Sequence, residues 1–133
     1  MKEQKNGKTS RIEPTRSELE ILAVLWSSGP STVRFVMEEL NKIRDLNYTA
    51  TLRLMQLMVD KGILKRDETR MQHVYHVIEP QQKTKHHLLS KVLDSVFQGS
   101  APNLMMQLVA SKKTTKEDIR KMKEILEQFE KKA

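Results

Sequence analysis

Thr49, Ala50, Leu52, Arg53 and Gln56 interleave with Thr51, Leu54, Met55 and Met58. The second set recurs at i, i+3, i+4 and i+7, which is the spacing of one buried helix face. Thr49 reads as the N-cap, its hydroxyl accepting a first-turn N–H. Gly62 ends the helix, because glycine takes the left-handed cap at no steric cost. The outer side is short and polar at its N-terminal end and carries one arginine. That chemistry suits reading base edges in a major groove, with Arg53 bidentate on a guanine and Leu52 against a thymine methyl. A solvated polar face without a partner is the competing reading of these residues, so the elements around the helix have to decide.

Other chemistries find little footing. The four histidines stand as His73, His76, His86 and His87. His73 and His76 read as strand residues at odd spacing, pointing to opposite faces, and His86 and His87 are helix neighbours that share no face. No metal-ligand motif groups them. No glycine-rich phosphate loop and no Ser/His/carboxylate set is present, so no enzyme, metal site or cofactor is expected. The eight methionines lie mostly at core spacing, where packing accounts for them.

The chain of 133 residues is long enough for one domain with an appendage. A net charge of +7 and a pI near 9.7 favour an acidic partner such as nucleic acid. The charge is uneven: residues 1–79 hold 13 basic and 11 acidic side chains, residues 80–133 hold 11 and 6. Net charge therefore does not place a DNA surface in the first half; local placement must. With no cysteine, disulfides and thiolate chemistry are excluded. No leader-like or membrane-spanning apolar run occurs, and a cytoplasmic protein is expected. Aromatic residues at 5% disfavour base stacking of single strands.

The elements that must position the candidate helix follow in chain order. Residues 1–13 are polar and lysine-rich and read as a disordered tail. Thr15-Arg16-Ser17-Glu18 is a capping box, and Leu19, Leu22, Ala23 and Trp26 mark the buried face of a first helix, widened by Ile21 and Leu25. Ser27-Ser28-Gly29-Pro30 stops it. Ser31 or Thr32 caps a second helix with Val33, Val36, Met37 and Leu40 inside. The short link to Tyr48 makes the second and third helices a helix-turn-helix. After Gly62 the period becomes strand-like, and two β-prone runs around Asp67-Glu68-Thr69-Arg70 read as a hairpin with Lys65, Arg66 and Arg70 toward its tip. Three helices and a basic hairpin make a winged-helix layout over 14–79.

Residues 80–133 read as three more amphipathic helices. Leu89, Val92, Leu93, Val96 and Phe97 form one stripe. Leu104, Met105, Leu108 and Val109 form a second, started by Pro102. Thr114 or Thr115 opens a last helix whose Ile119, Met122, Leu126 and Phe129 lie in an a/d-like seam. These stripes are hard to bury within about 54 residues, and the expected partner is a second copy of the chain. The fold class expected is mainly α with a small β-hairpin, a winged helix-turn-helix domain followed by a helical dimerisation region.

Several stretches resemble the penicillinase-repressor (BlaI/MecI/CopY) family: Thr15-x-x-Glu18-Leu19-Glu20-Ile21-Leu22-x-x-Leu25-Trp26-x-x-Gly29-Pro30, Tyr48-Thr49-Ala50-Thr51-Leu52, Asp60-Lys61-Gly62-Ile63-Leu64 and Arg70-x-x-His73-Val74-Tyr75. Each is weak alone; the ordered series from Pro14 to Phe129 is specific. The resemblance implies a dimeric repressor of transcription on an inverted-repeat double-stranded DNA operator, in an antibiotic-resistance or metal-homeostasis circuit. In the resistance members a membrane sensor peptidase releases the operator by cutting an Asn-Phe pair in the dimerisation region. Gln107-Leu108 stands at that place here, so the candidate cleavage pair departs from the family's. The copper-responsive members carry a C-terminal cysteine motif that this chain lacks. The rival to this reading is a protein-interaction adaptor built on the C-terminal helices.

Overall fold

The computed structural model describes residues 13–132; the tail expected at 1–13 lies outside them except for Glu13. Six helices and one hairpin follow in order: α1 (Arg16–Ser28), α2 (Val33–Leu40), α3 (Tyr48–Asp60), β1 (Leu64–Asp67), β2 (Val74–Val77), α4 (Gln81–Phe97), α5 (Ala101–Ala110) and α6 (Lys116–Lys132). The chain divides into two compact units between Lys85 and His86.

In the first unit α1 starts on the capping box that its sequence offers. The Glu18 N–H donates to Thr15 Oγ1 at 3.2 Å, and the Thr15 N–H donates back to Glu18 Oε1 at 2.9 Å. Its inner face differs from the expected one by a step around the helix. Glu18, Ile21, Leu22 and Leu25 are buried, whereas Ala23 is exposed and Leu19 and Trp26 are half-buried. The cause is Glu18. Lys61 delivers its ammonium to both carboxylate oxygens at 2.9 Å, so a charged side chain can occupy a buried position that hydrophobicity assigns to surface.

Thr32, not Ser31, caps α2, accepting the Phe35 N–H at 3.1 Å. Ser31 instead exchanges two backbone bonds with Tyr75, at 3.0 and 2.8 Å, and ties the start of α2 to the hairpin. The link to α3 is held by Asn41, whose side-chain oxygen accepts the Leu46 N–H. The cap of α3 is Asn47, which accepts the Ala50 N–H at 2.7 Å; Thr49 sits inside the first turn. This corrects the expected cap by two residues. Leu46 packs on the core and fixes where the chain can enter the helix.

The C-terminus of α3 is a Schellman motif. Gly62, at φ 81°, donates to Val59 O, and Ile63 donates to Met58 O at 2.9 Å. The motif turns the chain directly into β1. The antiparallel register pairs Leu64 with Val77, Lys65 with His76, Arg66 with Tyr75 and Asp67 with Val74. Val33, Val36 and Leu40 of α2, Met55 and Met58 of α3, and Leu64 and Tyr75 of the hairpin close one core with the α1 residues. This unit is a winged helix. The first turn of α4 belongs to it: Thr84 is buried and donates to Glu79 Oε1, and the Lys85 ammonium lies 5.7 Å from the Trp26 ring centre.

The second unit holds the rest of α4 with α5 and α6. Gly99 closes α4, its N–H reaching Leu93 O at 2.8 Å from φ 79°. Ser100 caps α5 by accepting the Asn103 N–H. Of the two starts available to α6, the chain uses Thr115 with Asp118, in a reciprocal pair of 3.0 Å bonds. Thr114 donates to Leu108 O instead. Among the described residues, no hydrophobic side chain of this unit is fully buried.

Candidate nucleic-acid interface

The inner face of α3, Thr51, Met55 and Met58, is sealed in the core. Thr51 is held further by its hydroxyl, which donates to Asn47 O at 2.9 Å. Fixing that face leaves Thr49, Arg53, Gln56 and Asp60 exposed on the outer side, with Ala50 half-buried. Leu52 is also half-buried and packs on the edge of the core. Leu57 stands exposed.

The basic side chains sort into paired and unpaired. Lys42 binds Glu39, Arg44 binds Glu20, Lys61 binds Glu18, and Arg66 binds Glu68 at 2.9 Å. Hydrogen bonding to Tyr75 and then to Glu68 raises the Arg66 pKa above its ordinary value. Arg66 is therefore committed within the hairpin, a pairing that sequence spacing alone did not reveal. Arg34, Arg53, Lys65 and Arg70 form no ion pair among the described residues, and all four are exposed. Charge unneutralised by the protein's own carboxylates is what a phosphate backbone can use.

The loop between β1 and β2 is ordered at its start by Asp67. Its carboxylate accepts the Thr69 N–H at 3.0 Å and the Thr69 hydroxyl at 2.7 Å, which holds its pKa below the usual carboxylate value. Arg70 and Met71 follow as exposed side chains. His73 lies in this loop ahead of β2, so only His76 of that pair is a strand residue. Among the described residues no group of three or more His, Asp or Glu side chains is placed to hold a metal ion.

Two residues that sequence reasoning passed over join these elements. Arg34 of α2 lies over the Tyr48 ring, its guanidinium carbon 5.7 Å from the ring centre. The two side chains border a cavity of about 240 Å³ whose other walls include Leu52 and Gln72-His73 of the loop. Tyr48 opens a family-like motif, but nothing in the local sequence pairs it with Arg34.

The helix-turn-helix, the Gly62 turn and the hairpin thus stand in the order expected, and the penicillinase-repressor family model matches residues 14–128. This chain belongs to the penicillinase-repressor family. The match spans the winged helix and nearly all of α4 to α6. Penicillinase repressors are DNA-binding transcriptional repressors rather than enzymes. No curated protein matches the chain in sequence. Among the described residues no helix is long and apolar enough to cross a membrane.

Proposed function

We propose that two copies of this repressor occupy an inverted-repeat operator and exclude polymerase from the promoter. The observation that carries the reading is the outer face of α3, where Arg53 stands exposed and without an ion pair between Thr49 and Gln56. Thr49, Ala50, Arg53 and Gln56 face base edges, with Leu52 at the margin. Lys65 and Arg70 lie along the phosphate backbone or minor groove. Arg66, already shared with Glu68, adds least. Residues 14–79 hold the DNA and residues 80–133 pair the copies.

Two half-sites on one face of a duplex ask for two linked reading helices. Support for the link comes from α4 to α6, where Leu89, Val92, Val96, Leu108, Leu126 and Phe129 are exposed, while Leu93, Phe97, Leu104, Ile119 and Met122 are half-buried. A stripe of this extent is unusual on a monomer. The repressor acts in the cytoplasm, in a β-lactamase, penicillin-binding-protein or related stress circuit. In the family's circuit release follows a cut by a membrane sensor peptidase; the candidate bond here, Gln107-Leu108, lacks the family's Asn-Phe pair, so such a peptidase is expected to cut this chain poorly or at another bond. Both residues are exposed but helical within α5, so α5 must open before a protease can hold it extended.

The test is titration of the full chain on the DNA upstream of its own coding sequence and on a scrambled duplex, with sedimentation of each complex. Two chains per operator are expected, with specific binding at least about 10³ tighter than non-specific. Equal affinity for both duplexes sinks sequence-specific repression. The exposed stripes also favour a second reading, an adaptor that captures another protein; it requires little DNA binding and none that depends on salt.

A further inference from the structure

We infer that the cavity between α2, the start of α3 and the wing loop seats one backbone phosphate of the duplex, gripped jointly by Arg34 and by Gln72 and His73. The inference deepens the operator-binding reading and rests on it. The cavity is about 240 Å³, far above the roughly 10–15 Å³ that a cavity needs to hold one water. Its lining includes donors and no carboxylate: Arg34, Gln72 and His73 supply a guanidinium, an amide and an imidazole, and Leu52 and Val33 are among its apolar residues. A pocket of donors without an acid suits a phosphate group, which presents only acceptors and a negative charge.

Arg34 is the cation of this set, and it forms no ion pair among the described residues. Its guanidinium lies over the Tyr48 ring. Stacking limits the rotamers of a long side chain while leaving its N–H groups at the ring's edge free to donate. Tyr48 is therefore a positioning residue, and Arg34 the phosphate ligand. Because Tyr48 is the first residue of α3, the phosphate contact sets where the reading helix enters the groove. Because Gln72 and His73 belong to the wing loop, the same phosphate draws the wing toward the helix-turn-helix.

The experiment compares Arg34→Ala, Arg34→Lys, Gln72→Ala, Tyr48→Phe, Tyr48→Leu and the Arg34→Ala/Gln72→Ala pair in the full chain, on operator and scrambled DNA across a salt series. Circular dichroism first verifies that each variant is folded; Arg34 and Gln72 are exposed, so both single changes leave the core untouched. Arg34→Ala is expected to weaken both duplexes by roughly tenfold per bound copy and to flatten the log–log salt slope by about 0.9 per copy, about 1.8 for two copies. Arg34→Lys keeps the slope. Gln72→Ala weakens binding without changing the slope, and the double variant loses less than the two single losses combined, because the side chains share one ligand. Tyr48→Phe keeps the stack and the affinity, while Tyr48→Leu falls toward Arg34→Ala. A wild-type chain that binds no DNA overturns the operator reading itself. Wild-type binding with an unaltered Arg34→Ala salt slope overturns the phosphate seat alone. So does a loss confined to operator DNA, which makes Arg34 a base reader. Inorganic phosphate supplies the last arm. If millimolar phosphate shifts the His73 ring resonances in free wild type but not in Arg34→Ala, yet leaves DNA binding unchanged at constant ionic strength, the seat belongs to a small phosphate and the backbone assignment fails.

Discussion

The winged helix and the α4 to α6 unit are built from similar helices, yet only one of them closes on itself. Each has well-capped helices: Thr15 with Glu18 at α1, Asn47 at α3, Thr115 with Asp118 at α6. Each has apolar residues at helical spacing. In the winged helix those residues meet, and Ile21, Val36, Met55 and Met58 are wholly removed from solvent. In the second unit Phe129 remains 69% exposed and Val96 59%. Local helix signals thus make helices in both places, but a core needs faces that converge from several directions. The hairpin and the Ser31–Tyr75 bridge supply that convergence in the first unit.

The comparison is broken most directly by Leu126→Asp. A charge in the α6 seam is costly to bury, so the variant is expected to sediment as a monomer with an intact winged helix. Its operator affinity should fall by about 10²–10⁴, the avidity lost when two sites are uncoupled. If it stays dimeric, the pairing surface lies elsewhere, with the Leu89 to Phe97 stripe next in line. Complete unfolding would mean that the two units stabilise each other.

Met55→Ala attacks the other side. Removing a wholly buried side chain from a closed core should cost about 2–5 kcal/mol, read as a shifted midpoint in urea. Val96→Ala, in a half-open surface, should cost well under 1 kcal/mol in dilute protein. Equal losses would erase the distinction between the units.

Arg53→Ala sharpens the contrast within the DNA face. It is expected to lose about 1–3 kcal/mol of specific binding and to relax discrimination at one base pair per half-site. Arg70→Ala should weaken operator and scrambled DNA alike and flatten the salt slope. Full specificity in Arg53→Ala would put another residue of α3 at that base.

The smallest expected effect is on acid sensitivity, where the units should behave alike. Asp67 and Asp118 both have pKa values lowered, chiefly by threonine N–H and hydroxyl donors, Thr69 and Thr115 respectively. A carboxylate with a depressed folded pKa stabilises above its unfolded value, near about 3.9, and loses that contribution as pH falls through the folded pKa. Carbon-detected NMR titration should find both midpoints below those of unstructured aspartates. A midpoint at the unstructured value for Asp67 would mean that the Thr69 turn is not formed in solution.

What the residues alone determined is everything that local geometry controls. The Thr15–Glu18 box, the Gly62 stop, the helix-turn-helix and the change to strand period all depend on groups within a few positions of one another, whereas the residues left Thr114 and Thr115 both open as the start of α6. The family resemblance followed from their order. Tertiary structure decided the rest. Glu18 is buried because Lys61, 43 positions away, meets it. Asn47 rather than Thr49 caps α3 because Leu46 is held by the core and by Asn41. Arg66 turned inward to Glu68 and Tyr75, while Arg34, unremarkable in sequence, was set over Tyr48. The physical reason is plainest for Glu18 and Arg34, whose partners lie on other elements. A side chain's type states what it can bind, whereas the partner that satisfies it is chosen only when distant segments pack together.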